Sequence, residues 1–273
     1  SAQNAGEWPG FHGADRTNKS AETGLLSTWP GDGPELLFEI DGLGEGYSTV
    51  SIADGLIFAA GRRNDQTYVF ANDMNGKTVW GKPNGKAWDT TMSHARTYTG
   101  SRSTPTYSDG ILYHLSESGR MTAFESKTGQ EIWTVNLMAR FNASLPVYGY
   151  SESVFIEGDR LYCNPAGKDG FIVCLNKKDG TLIWANKEIP GQWSCSSSIA
   201  ADFGGYRQII NFSSTHVFGV DSKTGKLLWE MPFETKPTLN STDAIYHDGH
   251  VFVSTGYGRG SMLIQLNAPA GTI

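Results

Sequence analysis

Asp221-Ser-Lys-Thr-Gly225-Lys-Leu-Leu-Trp229 decides the fold, because its spacing returns along the chain. An acidic residue or Asn is followed four positions later by Gly and after four more by Trp, as in Asn72…Gly76…Trp80, Glu125…Gly129…Trp133 and Asn176…Gly180…Trp184. A fifth copy, Asn267…Gly271, runs into the last residue, Ile273, before its Trp would fall due. The Gly-to-Gly intervals are 53, 51, 45 and 46 residues, near or slightly above the period of four-stranded propeller blades. Each tag reads as a hairpin turn whose Gly tolerates positive φ. The strand after it ends in Trp, placed to contribute a large apolar area against the next blade.

The rest of each unit can be read outward from its tag. Upstream stands a second turn, as Asp54-Gly55, Asp109-Gly110, Gly158-Asp159, Gly204-Gly205 and Asp248-Gly249, each followed by an apolar strand such as Ile111-Leu-Tyr113. A third strand, such as Phe171-Ile-Val-Cys174, leads into the tag. A Ser-rich stretch precedes the first turn: Tyr47-Ser-Thr-Val50, Arg102-Ser-Thr-Pro105, Tyr150-Ser-Glu-Ser153, Cys195-Ser-Ser-Ser198 and Asn240-Ser-Thr-Asp243. We expect these stretches to be the innermost strands, where small side chains let sheets converge on a channel. The fold class is therefore all-β, a WD40-like propeller of four-stranded antiparallel blades with about five blades present.

Composition agrees. Thirty-three Gly, 12% aromatic and 18% charged residues suit many short strands and tight turns, and no apolar pattern holds helical spacing for three turns. The net charge of −6 comes from scattered charges, so no basic stripe is offered to nucleic acid. No apolar run approaches the 18 or so residues of a membrane-spanning helix. Cys163 and Cys174 fall on neighbouring strands of one hairpin, as a cross-strand bridge or as two separate buried thiols.

The chain resembles the PQQ-like repeat family, bacterial propellers related to quinoprotein alcohol dehydrogenases and to the outer-membrane assembly lipoprotein. The resemblance rests on Trp8-Pro-Gly-Phe-His-Gly13 with Asp15-Arg16, Gly44-Glu-Gly-Tyr-Ser-Thr49, Ser101-Arg-Ser-Thr-Pro105, Gly149-Tyr-Ser-Glu-Ser153 and Phe203-Gly-Gly. It implies a periplasmic or secreted protein and a ring of seven or eight blades. On that basis residues 1–273 are expected to be one propeller domain, cut within its fifth blade, and residues 1–35 to hold the strand that completes the last blade.

If the resemblance extends to the dehydrogenases, it implies pyrroloquinoline quinone (PQQ) across the channel mouth with a calcium ion beside it. The candidates are then Arg102 and Trp193 for the quinone, Glu152 and Asn240 for calcium, and Asp243 as the base, with Glu45 at another blade entrance. The chemistry suits: hard oxygen ligands, an indole face and a carboxylate for the alcohol proton. Against it, those enzymes carry two adjacent cysteines beside the quinone, whereas Tyr98-Thr-Gly-Ser101 precedes Arg102. Glu152 and Asp243 also have a plainer reading as acceptors of hydrogen bonds in a crowded channel, and Arg102 as a bridge between blades. His94 and Arg96, in the long connection after Trp80, are candidate binding residues on a loop.

The expected function is a binding or scaffold module without catalysis, holding a protein or small molecule at the channel mouth or blade edge. The alternative is a PQQ- and calcium-dependent alcohol or sugar dehydrogenase. Exposed aromatics such as Tyr148 and Trp193 raise glycan binding as a third idea.

Overall fold

The computed structural model describes residues 6–90, 99–234 and 240–268. Four antiparallel sheets of four strands and one of three follow one another along the chain. The first blade is β1 (Ser51–Ala53), β2 (Leu56–Arg63), β3 (Gln66–Asp73) and β4 (Thr78–Lys86). The second is β5 (Thr106–Ser108), β6 (Ile111–Leu115), β7 (Arg120–Glu125) and β8 (Glu131–Asn136), followed by the single-turn helix α1 (Leu137–Phe141). The third is β9 (Phe155–Glu157), β10 (Arg160–Cys163), β11 (Ile172–Asn176) and β12 (Leu182–Asn186). The fourth is β13 (Ile199–Phe203), β14 (Tyr206–Phe212), β15 (His216–Asp221) and β16 (Leu227–Pro232). The fifth shows β17 (Ile245–His247), β18 (His250–Thr255) and β19 (Gly260–Gln265) among the described residues.

Local chemistry explains the meanders. Asp54-Gly55, Asp109-Gly110 and Asp248-Gly249 have positive φ at both residues, the geometry of two-residue turns whose twist matches that of the flanking strands. In each of the four-stranded blades the third and fourth strands slip register by a residue just before the tag turn, between Ala71 and Asn72, Ala123 and Phe124, Cys174 and Leu175, and Gly219 and Val220.

The apolar core lies between blades. One cluster joins blades one and two through Phe58, Trp80, Leu112 and Phe124; another joins two and three through Tyr113, Trp133, Leu161 and Val173. Further clusters join three to four and four to five. Each blade is thus stabilised by its neighbours, as in other stacked repeats.

The tags make these contacts specific. Trp80, Trp133 and Trp184 each donate an indole N–H to a carbonyl in the next blade's tag turn, at Ser126, Lys177 and Ser222 over 2.8–3.0 Å. Each ring lies over that turn's Gly. A Cβ on Gly129 would stand 2.7 Å from the Trp80 ring, and one on Gly180 2.8 Å from Trp133. The tag Gly therefore serves twice, in the positive-φ turn and as a seat for the neighbour's indole.

Cys163 and Cys174 are separate buried thiols. Their strands are adjacent, but Cys163 pairs with Val173 and Cys174 with Tyr162. One residue of offset puts the two sulfurs on opposite faces of the sheet.

The Ser-rich stretches differ from expectation: each runs just ahead of the innermost strand, which begins two residues after Thr49, Thr104, Ser153, Ser197 and Asp243. The backbone at these positions does not enter a ladder. Thr49 N–H donates to Thr104 Oγ1, Thr104 N–H to Ser153 Oγ, Ser153 N–H to Ser197 Oγ and Ser197 N–H to Asp243 Oδ1, over 2.7–3.2 Å. One side-chain oxygen per blade is handed to the blade before it.

Candidate functional site

That relay explains the place of Asp243. In register it replaces the Ser or Thr of the other blades, and its Oδ1 takes the backbone N–H that a hydroxyl takes elsewhere. The second oxygen, Oδ2, is buried without a hydrogen bond and faces His12 Nδ1 at 3.6 Å. Burial pushes the Asp243 carboxyl up, opposed by the Ser197 N–H and by the charges of Arg16 and His12.

Two residues earlier in every blade, at Tyr47, Arg102, Ser151, Cys195 and Ser241, lies a second ring whose members all line one cavity of about 790 Å3. Phe11, Tyr148, Ser153, Ser197, Asp243 and Tyr257 complete it. Arg102 lies between the rings of Tyr47 and Trp88, 5.6 and 5.3 Å from their centres, so its guanidinium is held by stacking. Burial lowers the Arg102 pKa, partly offset by Cys195 and Glu117. Burial likewise pushes the Cys195 thiol up, against a hydrogen bond with Ser151 and the Arg102 charge. A thiol in that state is a poor nucleophile.

Beneath the cavity lies the opening segment. Trp8 exchanges backbone hydrogen bonds with Ile52 of β1, and Pro9 accepts the Tyr107 N–H of β5. Arg16, buried, donates to the carbonyls of Ser153 and Val154 and lies over the Phe155 ring. Its charge acts on both Glu152 and Asp243. Arg16 is a buried cation beneath the cavity that residue typing alone passes over; its signal is the Asp15-Arg16 pair in the opening motif.

Glu152 is engaged by protein donors at both oxygens. Oε2 accepts the Asn164 N–H at 2.7 Å, and Oε1 accepts Ser198 Oγ at 3.2 Å and Asn211 Nδ2 at 3.3 Å. Burial pushes its carboxyl up to about 8 in spite of the Asn164 N–H and the Arg16 charge. Asn240 is partly engaged: its Nδ2 donates to the Ser213 carbonyl and its backbone carbonyl accepts from Cys195 N–H and Ser196 Oγ, while its side-chain Oδ1 is buried without a hydrogen bond. Among the described residues no three His, Cys, Asp or Glu side chains converge to hold a metal ion. Glu152 accepts three protein donors and lies beside the positive charge of Arg16, so Asn240 Oδ1 is the unpartnered oxygen of the two calcium candidates; that is too small a set for the six to eight oxygens calcium takes, and the residues present do not fit the ion.

The remaining candidates are dispersed. Arg102 and Asp243 share the cavity; Trp193 is half-buried on the connection into blade four and is not among the lining residues. Glu45 lines a separate polar recess with Arg62, Asn64, Asp89 and Thr99, and accepts the Thr99 hydroxyl. His94 and Arg96 lie outside the described residues. His114, unremarkable in the sequence, is buried in a polar network. Its Nδ1 accepts from Asn84 Nδ2 at 2.8 Å, which leaves Nε2–H for Ser101 Oγ at 3.2 Å. Burial lowers its pKa to about 4.

The family model of outer membrane protein assembly factor BamB matches residues 65–272, most of the chain. The chain belongs to this PQQ-like repeat family. Relatives of two kinds are similar to it. The quinoprotein ethanol dehydrogenase of Pseudomonas putida is 28% identical over 163 residues, 54% of this chain and 25% of that protein. The outer membrane protein assembly factor BamB of Shewanella oneidensis is 24% identical over 174 residues, 62% of this chain and 43% of that protein. In three dimensions the quinohemoprotein alcohol dehydrogenase from Comamonas testosteroni superposes with a TM-score of 0.61 at 13% identity, covering 94% of this chain and 45% of that one. The chain therefore spans between a quarter and less than half of these relatives. The propeller fold is shared, and the family includes both assembly factors and quinoprotein dehydrogenases.

Proposed function

We propose that this PQQ-like propeller is a non-catalytic binding module of the periplasm or cell exterior, whose central cavity receives a small ligand or the tip of a partner's loop. One observation carries the reading: the dehydrogenase alternative would need Glu152 for the metal and Asp243 as the base, and each carboxylate already accepts hydrogen bonds from the protein. Asp243 takes the place of a structural hydroxyl, and Glu152 accepts three protein donors. The ring of Tyr47, Arg102, Ser151, Cys195 and Ser241 instead lines the cavity with one stacked cation, small hydroxyls and a thiol beside an aromatic wall. Such a cavity recognises a ligand by an anionic or hydrogen-bonding group at Arg102 and by ring faces at Tyr47, Tyr148 and Tyr257.

A second reading, a PQQ-dependent dehydrogenase, draws on the similarity to quinoprotein ethanol dehydrogenase and on Arg102 and Asp243 sharing one cavity. Titration with PQQ, with and without Ca2+, separates the two when followed by quenching of Trp fluorescence. The binding-module reading expects no calcium-dependent step. Saturable quenching that requires Ca2+ and disappears in Glu152→Ala would establish the dehydrogenase reading instead.

A further inference from the structure

The central cavity carries charge of both signs, on blades that do not adjoin. Arg102 leads into blade two and Asp243 into blade five, and both line the cavity, with blades three and four between them along the rim. Their surroundings are separate. The ionisable groups that act on Arg102 are Cys195, Glu117, Tyr47 and Tyr148, whereas Asp243 feels Arg16 and His12.

Asp243 has an oxygen to spare. Its Oδ1 accepts the Ser197 N–H at 2.7 Å, and its Oδ2 is buried with no hydrogen bond, 3.6 Å from His12 Nδ1. Leaving a buried carboxylate oxygen without a donor is costly, so a donor brought by a ligand is favoured there. Arg102 is held at the wall by Tyr47, Trp88 and a bond from its Nη1 to the Gly100 carbonyl at 3.3 Å. A planar cation fixed in this way suits a carboxylate.

Rings stand around the two charges. Tyr47 and Tyr257 line the cavity while 54% and 70% exposed, so neither is placed there by packing into the core. Tyr257 also has a φ of +57°, a left-handed conformation that bulky residues avoid and that the β18–β19 connection imposes.

We propose that the cavity takes a small zwitterion, a short aromatic peptide with free termini. Its carboxylate pairs with Arg102, its ammonium donates to Asp243 Oδ2, and its side chains lie on the rings of Tyr47, Tyr148 and Tyr257. The ammonium supplies the donor that His12, at 3.6 Å, does not. A single amino acid carries both charges about one carbon, whereas a peptide separates them, as sites on blades two and five require. The inference rests on the reading of the cavity as a binding site and names its ligand class.

Calorimetric titration of the whole chain with three forms of phenylalanyl-phenylalanine tests it: the free dipeptide, its N-acetyl form and its C-terminal amide. The free dipeptide is expected to bind roughly tenfold tighter than either blocked form, since each loses one charge-assisted contact. Arg102→Gln should weaken the free dipeptide and the N-acetyl form and leave the amide unchanged. Asp243→Asn should weaken the free dipeptide and the amide and leave the N-acetyl form unchanged; it keeps an oxygen for the Ser197 N–H, so the relay survives. The three ligands test the parent chain even if a variant fails to fold. An N-acetyl form that binds as tightly as the free dipeptide would overturn the role of Asp243 and leave an anion site, with the binding-module reading intact. Failure of all three forms to bind would overturn the zwitterion, whereas calcium-dependent quenching by PQQ would overturn the reading beneath it.

Discussion

The inner rim of the propeller carries two rings two residues apart, and they are built on opposite terms. At Thr49, Thr104, Ser153, Ser197 and Asp243 the residue type is nearly constant, because each backbone N–H from Thr49 to Ser197 needs an oxygen from the next blade. At Tyr47, Arg102, Ser151, Cys195 and Ser241 the types differ, because those side chains face the cavity and none of them is an acceptor in the backbone relay. Uniformity along the repeat reports what holds the blades together, and variety reports what they present to a ligand. On that criterion Asp243 belongs with the hydroxyls it replaces, and its carboxylate is an acceptor before it is a base.

The outer rim offers the sharpest way to break this comparison, since Trp80, Trp133 and Trp184 are its uniform ring. Trp133→Ala removes a buried indole and its hydrogen bond to Lys177 and should destabilise by about 3–5 kcal/mol in chemical denaturation. A cost below about 1 kcal/mol would mean that blades two and three do not depend on the tag.

Next comes acidification. The unfolded His114 binds its proton near pH 6.5, as its ordinary value requires, whereas the folded one does so only near 4. Between those values the unfolded chain binds more protons. The stability that rests on neutral His114 is intact above pH 6.5 and lost as pH falls through 4, by roughly 3 kcal/mol in all. His114→Gln should have a flatter stability curve between pH 6.5 and 4 than the parent; parallel curves would contradict the buried neutral imidazole.

The two rings are then compared directly. Ser197→Ala orphans the buried Ser153 N–H and should cost about 1–3 kcal/mol. Ser241→Ala, exposed in the variable ring, should stay within about 0.5 kcal/mol. Equal costs would erase the distinction.

These contrasts also show how far the sequence could be read. The blades were legible because their signals are local: Asp54-Gly55 and Asp109-Gly110 need positive φ, and the Trp after each tag Gly recurs at fixed spacing. The inner rim was half legible. Its Ser and Thr stood out by composition, but their bonds join residues 44 to 55 positions apart. No local pattern distinguishes a ladder strand from a hydroxyl relay over such distances. The site residues suffered most, because Glu152 reads as an available ligand until Asn164, Ser198 and Asn211 are seen around it. Arg16 is more than 130 residues from the carbonyls it caps.

The account turns on Asp243, and thermal unfolding of Asp243→Ser beside Asp243→Ala tests it most directly. Both variants remove the charge near Arg16 and His12, but only Ser keeps an oxygen for the Ser197 N–H. If Asp243 stands in for a ring hydroxyl, the Ser variant should melt several degrees above the Ala variant, since about 1–3 kcal/mol separates a satisfied from an orphaned buried N–H. Equal melting temperatures would show that the relay does not need an acceptor at this position and would return Asp243 to the list of available bases.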